Sequence, residues 1–270
     1  MNTVTSKDGT PIAFERHGEG TPLILVDGAS SYRAFNPLGP QLGDLLGASH
    51  TVYAYDRRGR GDSGDTSPYS VDREIEDLGA LIAEAGGTAH VLGFSSGAVL
   101  ALDAAAAGLP IIRLTLYEPP FVVDDSRPAV PGDYLERLDA LLAEGRRGEA
   151  LELFFSTAAG FPAEFVAGMK ADPIWAALEA IAPTTAYDGR IMADTMTGRP
   201  LPRDRWSSAS VPTLVLYGGA SESWLVNAAR AVSGLLPQAG LRALPDQTHN
   251  VTAEALAPAL AAFLAGGERA

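Results

Sequence analysis

Short, mostly apolar runs at residues 23–26, 51–56, 90–94, 111–117 and 213–217 are separated by stretches whose apolar residues recur every three or four positions. A run of that length with no polar alternation reads as a strand buried on both faces, the pattern of a parallel sheet. Between the runs, Leu38, Leu42, Leu45 and Leu46 have helical spacing, with Pro37 and Pro40 limiting where the helix can begin. Residues 71–85 carry Ile75, Leu78, Leu81 and Ile82 on one face and stop at Gly86-Gly87. A helix over 96–107 follows the third apolar run. Downstream, a helix over 224–236, a strand over 241–244 and a closing helix over 253–264 continue the alternation. Residues 2–16 alternate weakly and break at Asp8-Gly9, which predicts a hairpin of two edge strands. The class is α/β, with a mostly parallel, doubly wound sheet flanked by helices.

Residues 119–205 break the rhythm. They contain helix-like stretches separated by Pro and Gly and no good buried strand. The pattern predicts a core of residues 1–118 and 206–270, with 119–205 forming a helical cap inserted after the sixth strand and folded over one end of the sheet. The insertion supplies Phe121, Phe154, Phe155, Trp175, Tyr187, Met192 and Met196, enough apolar area to roof a pocket. Of these, Phe121, Trp175 and Tyr187, together with Phe94 at the end of the 90–94 run, are the candidate substrate-binding residues.

Composition narrows the function. The formal net charge of −13 argues against a nucleic-acid partner, because phosphate binding needs a basic face and Arg57-Arg58-Gly59-Arg60 is the one concentrated positive stretch. The first residues lack a basic and apolar leader pattern, and no stretch has about 18 uninterrupted apolar residues, so the expectation is a cytoplasmic chain with no membrane partner. The absence of cysteine excludes disulfides and thiolate chemistry. No metal-ligand spacing, phosphate loop or dinucleotide fingerprint is present, so neither metal nor cofactor is expected. The expected partner is a small-molecule substrate, and a homodimer is compatible with the sequence.

The chemistry concentrates in Gly93-Phe94-Ser95-Ser96-Gly97, between a buried strand and an alanine-rich helix. In a Gly-x-Ser-x-Gly turn the central serine is pushed out over the carboxyl edge of the sheet, and the flanking glycines avoid clashes with neighbouring backbone. Ser95 is the candidate nucleophile. Ser96 matters through its backbone N–H at the start of the following helix, where unpaired N–H groups favour a developing negative charge. A serine hydroxyl needs an imidazole. His249 follows the last strand and precedes the closing helix, so it opens onto the same edge, whereas His17, His50 and His90 lie at strand approaches as solvated or capping histidines.

With "LILVDGA", "YDRRGRGDS", "GFSSG", "PTLVLYGG" and "LPDQTH…FL" in this order from about residue 10 to 265, the chain resembles the α/β-hydrolase superfamily, in its cap-bearing, serine esterase-like branch. The resemblance implies that Asp56, Arg58, Gly59, Gly61 and Ser63 form a structural loop beside the site. It also implies an oxyanion hole made by the backbone N–H groups of Ala29 and Ser96. Two departures stand out. Many relatives carry an aspartate three residues after the glycine of "LVLYG", and this chain has Ser221 there. Haloalkane dehalogenases, in the same superfamily, take the acid from the end of the strand after the nucleophile's helix, which corresponds here to Glu118; Glu222, Asp246 or no acid at all are the alternatives. The usual His-Gly after the third strand is Asp27-Gly28, and a carboxylate there opposes an oxyanion unless it is turned away and hydrogen-bonded, with Arg57 or Arg58 as partner. The expected activity is cofactor-free cleavage of a hydrophobic carboxylic ester or lactone through an acyl-enzyme. A lyase, cyclase or acyl transferase on this scaffold, or a small-molecule receptor with vestigial turnover, are the alternatives.

Overall fold

The computed structural model describes residues 1–266. Its centre is an eight-stranded sheet in the order β1-β2-β4-β3-β5-β6-β7-β8. The strands are β1 (Asn2–Thr5), β2 (Pro11–His17), β3 (Thr21–Val26), β4 (His50–Tyr55), β5 (Ala89–Phe94), β6 (Ile111–Tyr117), β7 (Thr213–Gly218) and β8 (Ala239–Leu244). Pairing is antiparallel from β1 to β2 and from β2 to β4, and parallel from there on. The N-terminal hairpin is present, but of its two strands β1 alone lies at an edge: β2 lies between β1 and β4, which is why Ile12, Ala13 and Phe14 are fully buried.

The unbroken apolar runs have the cause inferred for them. Along β3, Ile24 and Val26 pack into the core on one face of the sheet while Leu23 and Leu25 pack into the core on the other. Residues two apart share a face, so a strand covered on both sides must be apolar throughout. The first face is covered by α2 (Val71–Glu84), α3 (Ser96–Ala106) and α9 (Ser223–Leu235), the second by α1 (Leu38–Leu46) and α10 (Ala253–Leu264). His50 and His90 are buried rather than solvated, with their rings 5.8 Å apart. Burial lowers the pKa of both, His90 to about 4.

Between β6 and β7 lie α4 (Tyr134–Ala143), α5 (Arg147–Leu153), a π-helical turn (Phe154–Ala158), α6 (Ala163–Ala171), α7 (Ile174–Ile181) and α8 (Thr185–Met192), with short 3-10 turns at Ala182–Thr184 and Ala193–Met196. These helices carry two small cores of their own, one around Leu151, Phe155, Trp175 and Leu178 and one around Tyr134, Leu138 and Ala186. Ile191 and Met192 of α8 and Met196 of the following turn instead join the core on the α3 face, with Phe121, Val122 and Leu201, so α8 and the two ends of the insertion seat it on the sheet. Among the described residues no helix is long and apolar enough to cross a membrane.

Candidate active site

The chain turns from β5 into α3 within a single residue. Ser95 has φ 52° and ψ −126°, a conformation that only tight surroundings hold on a non-glycine residue. Those surroundings demand glycine on both sides. A Cβ at Gly97 would sit 2.3 Å from the carbonyl oxygen of Val26, and one at Gly93 would sit 2.6 Å from Cα of Ala98. Ser95 N–H donates to the Tyr117 carbonyl at 3.0 Å, tying the turn to the end of β6.

Glu118, the next residue along from β6, is completely buried and has φ 44°. Its Oε2 lies 2.7 Å from Nδ1 of His249. A carboxylate only accepts, so Nδ1 is the donor of this contact, and in a neutral imidazole with that tautomer Nε2 keeps its lone pair. Oε1 accepts from the Gly218 N–H at 2.7 Å and from the Ser221 hydroxyl. Ser221 stands where many relatives have the aspartate, and here its hydroxyl supports the carboxylate that comes from the neighbouring strand. The loop bearing His249 is held by the Tyr117 hydroxyl, which donates to the Thr248 carbonyl. Of the alternative carboxylates, Glu222 borders the same cavity as His249 but accepts from the indole N–H of Trp224, and Asp246 is exposed. Among the described residues no hydrogen bond joins Ser95 Oγ to His249; contacts of this kind commonly tighten when substrate binds.

Ser95 and His249 both border a cavity of about 1120 Å³, together with Asp27, Ala29, Phe94 and Ser96. The N–H of Ser96 is one of those at the head of α3 that the helix cannot pair. The Ser96 hydroxyl reaches into the insertion and donates to Asp188 Oδ1 at 2.7 Å. Asp188 is buried, as are the Arg57 and Arg60 guanidiniums that grip it at 2.8 and 2.6 Å. Burial alone would raise its pKa, but Arg60 and Arg57 outweigh that and hold the carboxyl below the usual carboxylate range. Arg60 also donates to the Gly28 carbonyl at 2.6 Å, and Arg57 to the Asp27 carbonyl at 3.3 Å and to Glu74. The side chain of Asp27 therefore takes neither Arg57 nor Arg58 as its partner. It accepts from Asn36 Nδ2 at 2.6 Å and from the Ser31 hydroxyl at 3.4 Å, while Arg58 pairs with Asp77 and Asp8. Burial raises the Asp27 pKa to about 6, despite the offset from Asn36 and Arg60.

Three of the four residues proposed to touch substrate are elsewhere. Phe121 is fully buried against Trp206 in the sheet core. Trp175 packs in the insertion's own core and donates through its indole N–H to Glu179 at 3.0 Å. Tyr187 stacks on Tyr69 at 3.7 Å and donates to Asp65 at 2.6 Å. Phe94, Phe154, Phe155, Met192 and Met196 do border the cavity. Phe35, Tyr134, Phe161 and Trp224 also border it without having been singled out. For Trp224 a signal existed, since it opens the helix that follows β7 at the carboxyl edge.

Comparison with known proteins agrees with this architecture. The family model described as "Alpha/beta hydrolase family" matches residues 17–262. The crystal structure of an alpha/beta hydrolase from Sphaerobacter thermophilus is 53% identical, with a TM-score of 0.89 over 97% of this chain and 100% of that one. An enol-lactonase from Burkholderia xenovorans shares the fold at 18% identity, TM-score 0.71, over 98% of this chain and 100% of the other. Over 146 residues the sequence is 34% identical to the N-formylmaleamate deformylase of Pseudomonas putida, covering 52% of this chain and 53% of that protein. The alignment thus spans about half the length of that relative. A family match running from the second strand into the closing helix, on a sheet with this strand order, makes the chain a member of the alpha/beta hydrolase family.

Proposed function

We propose that the protein is a serine hydrolase that cleaves a carboxylic ester or lactone of a hydrophobic small molecule through an acyl-enzyme. The observation that carries this reading is the Glu118–His249 pair at 2.7 Å, facing the cavity into which the Ser95 turn opens. In the proposed reaction Ser95 Oγ attacks the acyl carbon and its proton passes to His249 Nε2. Glu118 holds the Nδ1–H and stabilises the imidazolium. The carbonyl oxygen becomes an oxyanion facing the N–H groups of Ala29 and Ser96. Collapse expels the alcohol, which takes the proton from His249; a water activated in the same way then releases the acid and restores Ser95. The cavity's aromatic and methionine lining supports an apolar substrate. The partial similarity to a deformylase favours a second reading, in which the bond cleaved is an acyl C–N bond.

Fluorophosphonate labelling with intact-mass analysis, combined with a panel of p-nitrophenyl esters and N-formyl amides, tests both. The expected result is one adduct, on Ser95, and ester turnover that Ser95→Ala and His249→Ala each reduce by several orders of magnitude. The double variant should be little worse than either single one. Labelling without turnover would favour the lyase, transferase or receptor readings, and wild-type rates in Ser95→Ala would end the hydrolase reading.

A further inference from the structure

The peptide linking Gly28 to Ala29 has one end in the cavity wall and the other in a buried ion cluster. In a planar trans peptide the C=O and the N–H point in opposite directions. Arg60 grips the Gly28 oxygen at 2.6 Å from the side of the cluster, which turns the Ala29 N–H the other way. A guanidinium on the carbonyl also polarises the peptide and makes its N–H a better donor. Arg60 is itself held by Asp188, Oδ2 to Nη2 at 2.6 Å, and by the Thr184 hydroxyl at 3.1 Å. The other carboxylate oxygen of Asp188 takes the Ser96 hydroxyl at 2.7 Å and Arg57 at 2.8 Å. One carboxylate from the insertion therefore holds the residue that supplies one oxyanion donor and the arginine that orients the other.

We infer that Asp188 is a positioning residue that fixes both backbone donors of the oxyanion hole, so that the inserted helix α8 contributes to the chemistry as well as to the roof. The inference rests on the serine-hydrolase reading above. Charge explains why an acid is needed. Arg57 and Arg60 face Glu74 and Asp188, all buried, and Asp188 is the carboxylate in direct contact with Arg60; without it, Glu74 and Asp27 act on that guanidinium only at longer range, with no ion pair to hold it where it meets Gly28 O.

Asp188→Asn keeps the shape but presents an N–H₂ group to guanidiniums, which only donate, so one of the two contacts must open. Ser96→Ala keeps the backbone N–H and the ion pairs and removes only the hydroxyl tether. The measurements are kcat and KM on a p-nitrophenyl ester, and inhibition by a trifluoromethyl ketone, whose serine adduct places an oxyanion in the hole, against the matching methyl ketone as a ground-state mimic. For Asp188→Asn the expected result is a fall in kcat of roughly 10- to 100-fold with KM little changed. Trifluoromethyl ketone affinity should fall by a similar factor, and methyl ketone binding should hold. Ser96→Ala should show the same pattern at smaller amplitude, and decides the matter alone if Asp188→Asn does not fold. Wild-type kcat in the folded variants, or a loss of kcat with trifluoromethyl ketone affinity intact, would overturn the assignment. A wild-type protein that forms no adduct on Ser95 would instead overturn the reading beneath it.

Discussion

Glu118 and Ser221 meet beside His249, where the Ser221 hydroxyl donates to the carboxylate that accepts from the imidazole. β6 and β7 are neighbours in the sheet, so the residue after β6 reaches the same place as the loop after β7. The carboxylate comes from one side and a hydroxyl meets it from the other. Replacing Glu118 by Gln keeps the volume but can favour the wrong imidazole tautomer. The expected outcome is an acylation rate lower by roughly two to four orders of magnitude, with the fold retained. Ser221→Ala leaves the carboxylate with the Gly218 N–H as its remaining support on Oε1, and a smaller loss, about tenfold or less, is expected from removing one such hydrogen bond. Glu222→Gln should change little. Stopped-flow acylation rates for the three variants check the order; a dominant loss in Glu222→Gln would move the acid to the loop after β7. The turn at Ser95 and the placement of His249 on the same edge were legible because each follows a strand. Glu118 came only through the resemblance, with Glu222 and Asp246 left open, because a carboxylate at a strand end has no local pattern that tells it from its neighbours. The Asp188 contacts were not legible, since Arg60 lies 128 residues away and no local pattern links the two.

Strands and helices of the core could be read because each must bury a defined face, and the sheet's position fixes which one. The inserted helices have no such external reference. They are short, and several bury their apolar residues against one another, so aromatic content alone does not reveal which rings meet substrate. Trp175 and Phe154 separate the two cases. Phe154 lies on the π-helical turn and borders the cavity. The end of that turn is fixed by Arg127, which donates to the carbonyls of Thr157 and Ala158 and stacks on Trp224 at 4.6 Å. Trp175→Ala should empty part of the insertion's core and cost roughly 3–5 kcal/mol, while leaving the ratio of rates on bulky and small esters unchanged. Phe154→Ala should alter that ratio with a smaller loss of stability. Thermal unfolding and kcat/KM on an acetate and an octanoate ester read both quantities. A selectivity change in Trp175→Ala at wild-type stability would place the indole in the cavity.

At the scale of the whole molecule, two buried groups give stability opposite dependences on pH. Asp27 holds its proton in the folded state up to about 6, above its ordinary 3.8, so the stability present below pH 4 is lost as pH rises through 6. His90 stays neutral in the fold down to about 4, below its ordinary 6.5, so stability present above pH 6.5 is lost as pH falls toward 4. Each effect is on the order of 3 kcal/mol, and over the shared window they oppose each other. Their sum should contribute little slope to wild-type stability between pH 4 and 6.5. Asp27→Asn retains an acceptor for Asn36 and removes only the first effect, so its stability should climb with pH across that window and exceed the wild type at pH 7. His90→Asn should show the reverse slope, whatever constant offset its altered packing introduces. In the double variant the slope from these two groups should vanish, because Asp27 follows the carboxyl end of β3 whereas His90 sits at the amino end of β5, and the two share no partner. Urea titrations at pH 4, 5, 6 and 7 measure all four proteins. Parallel pH profiles for the wild type and Asp27→Asn would mean that the Asp27 carboxyl ionises normally in the fold.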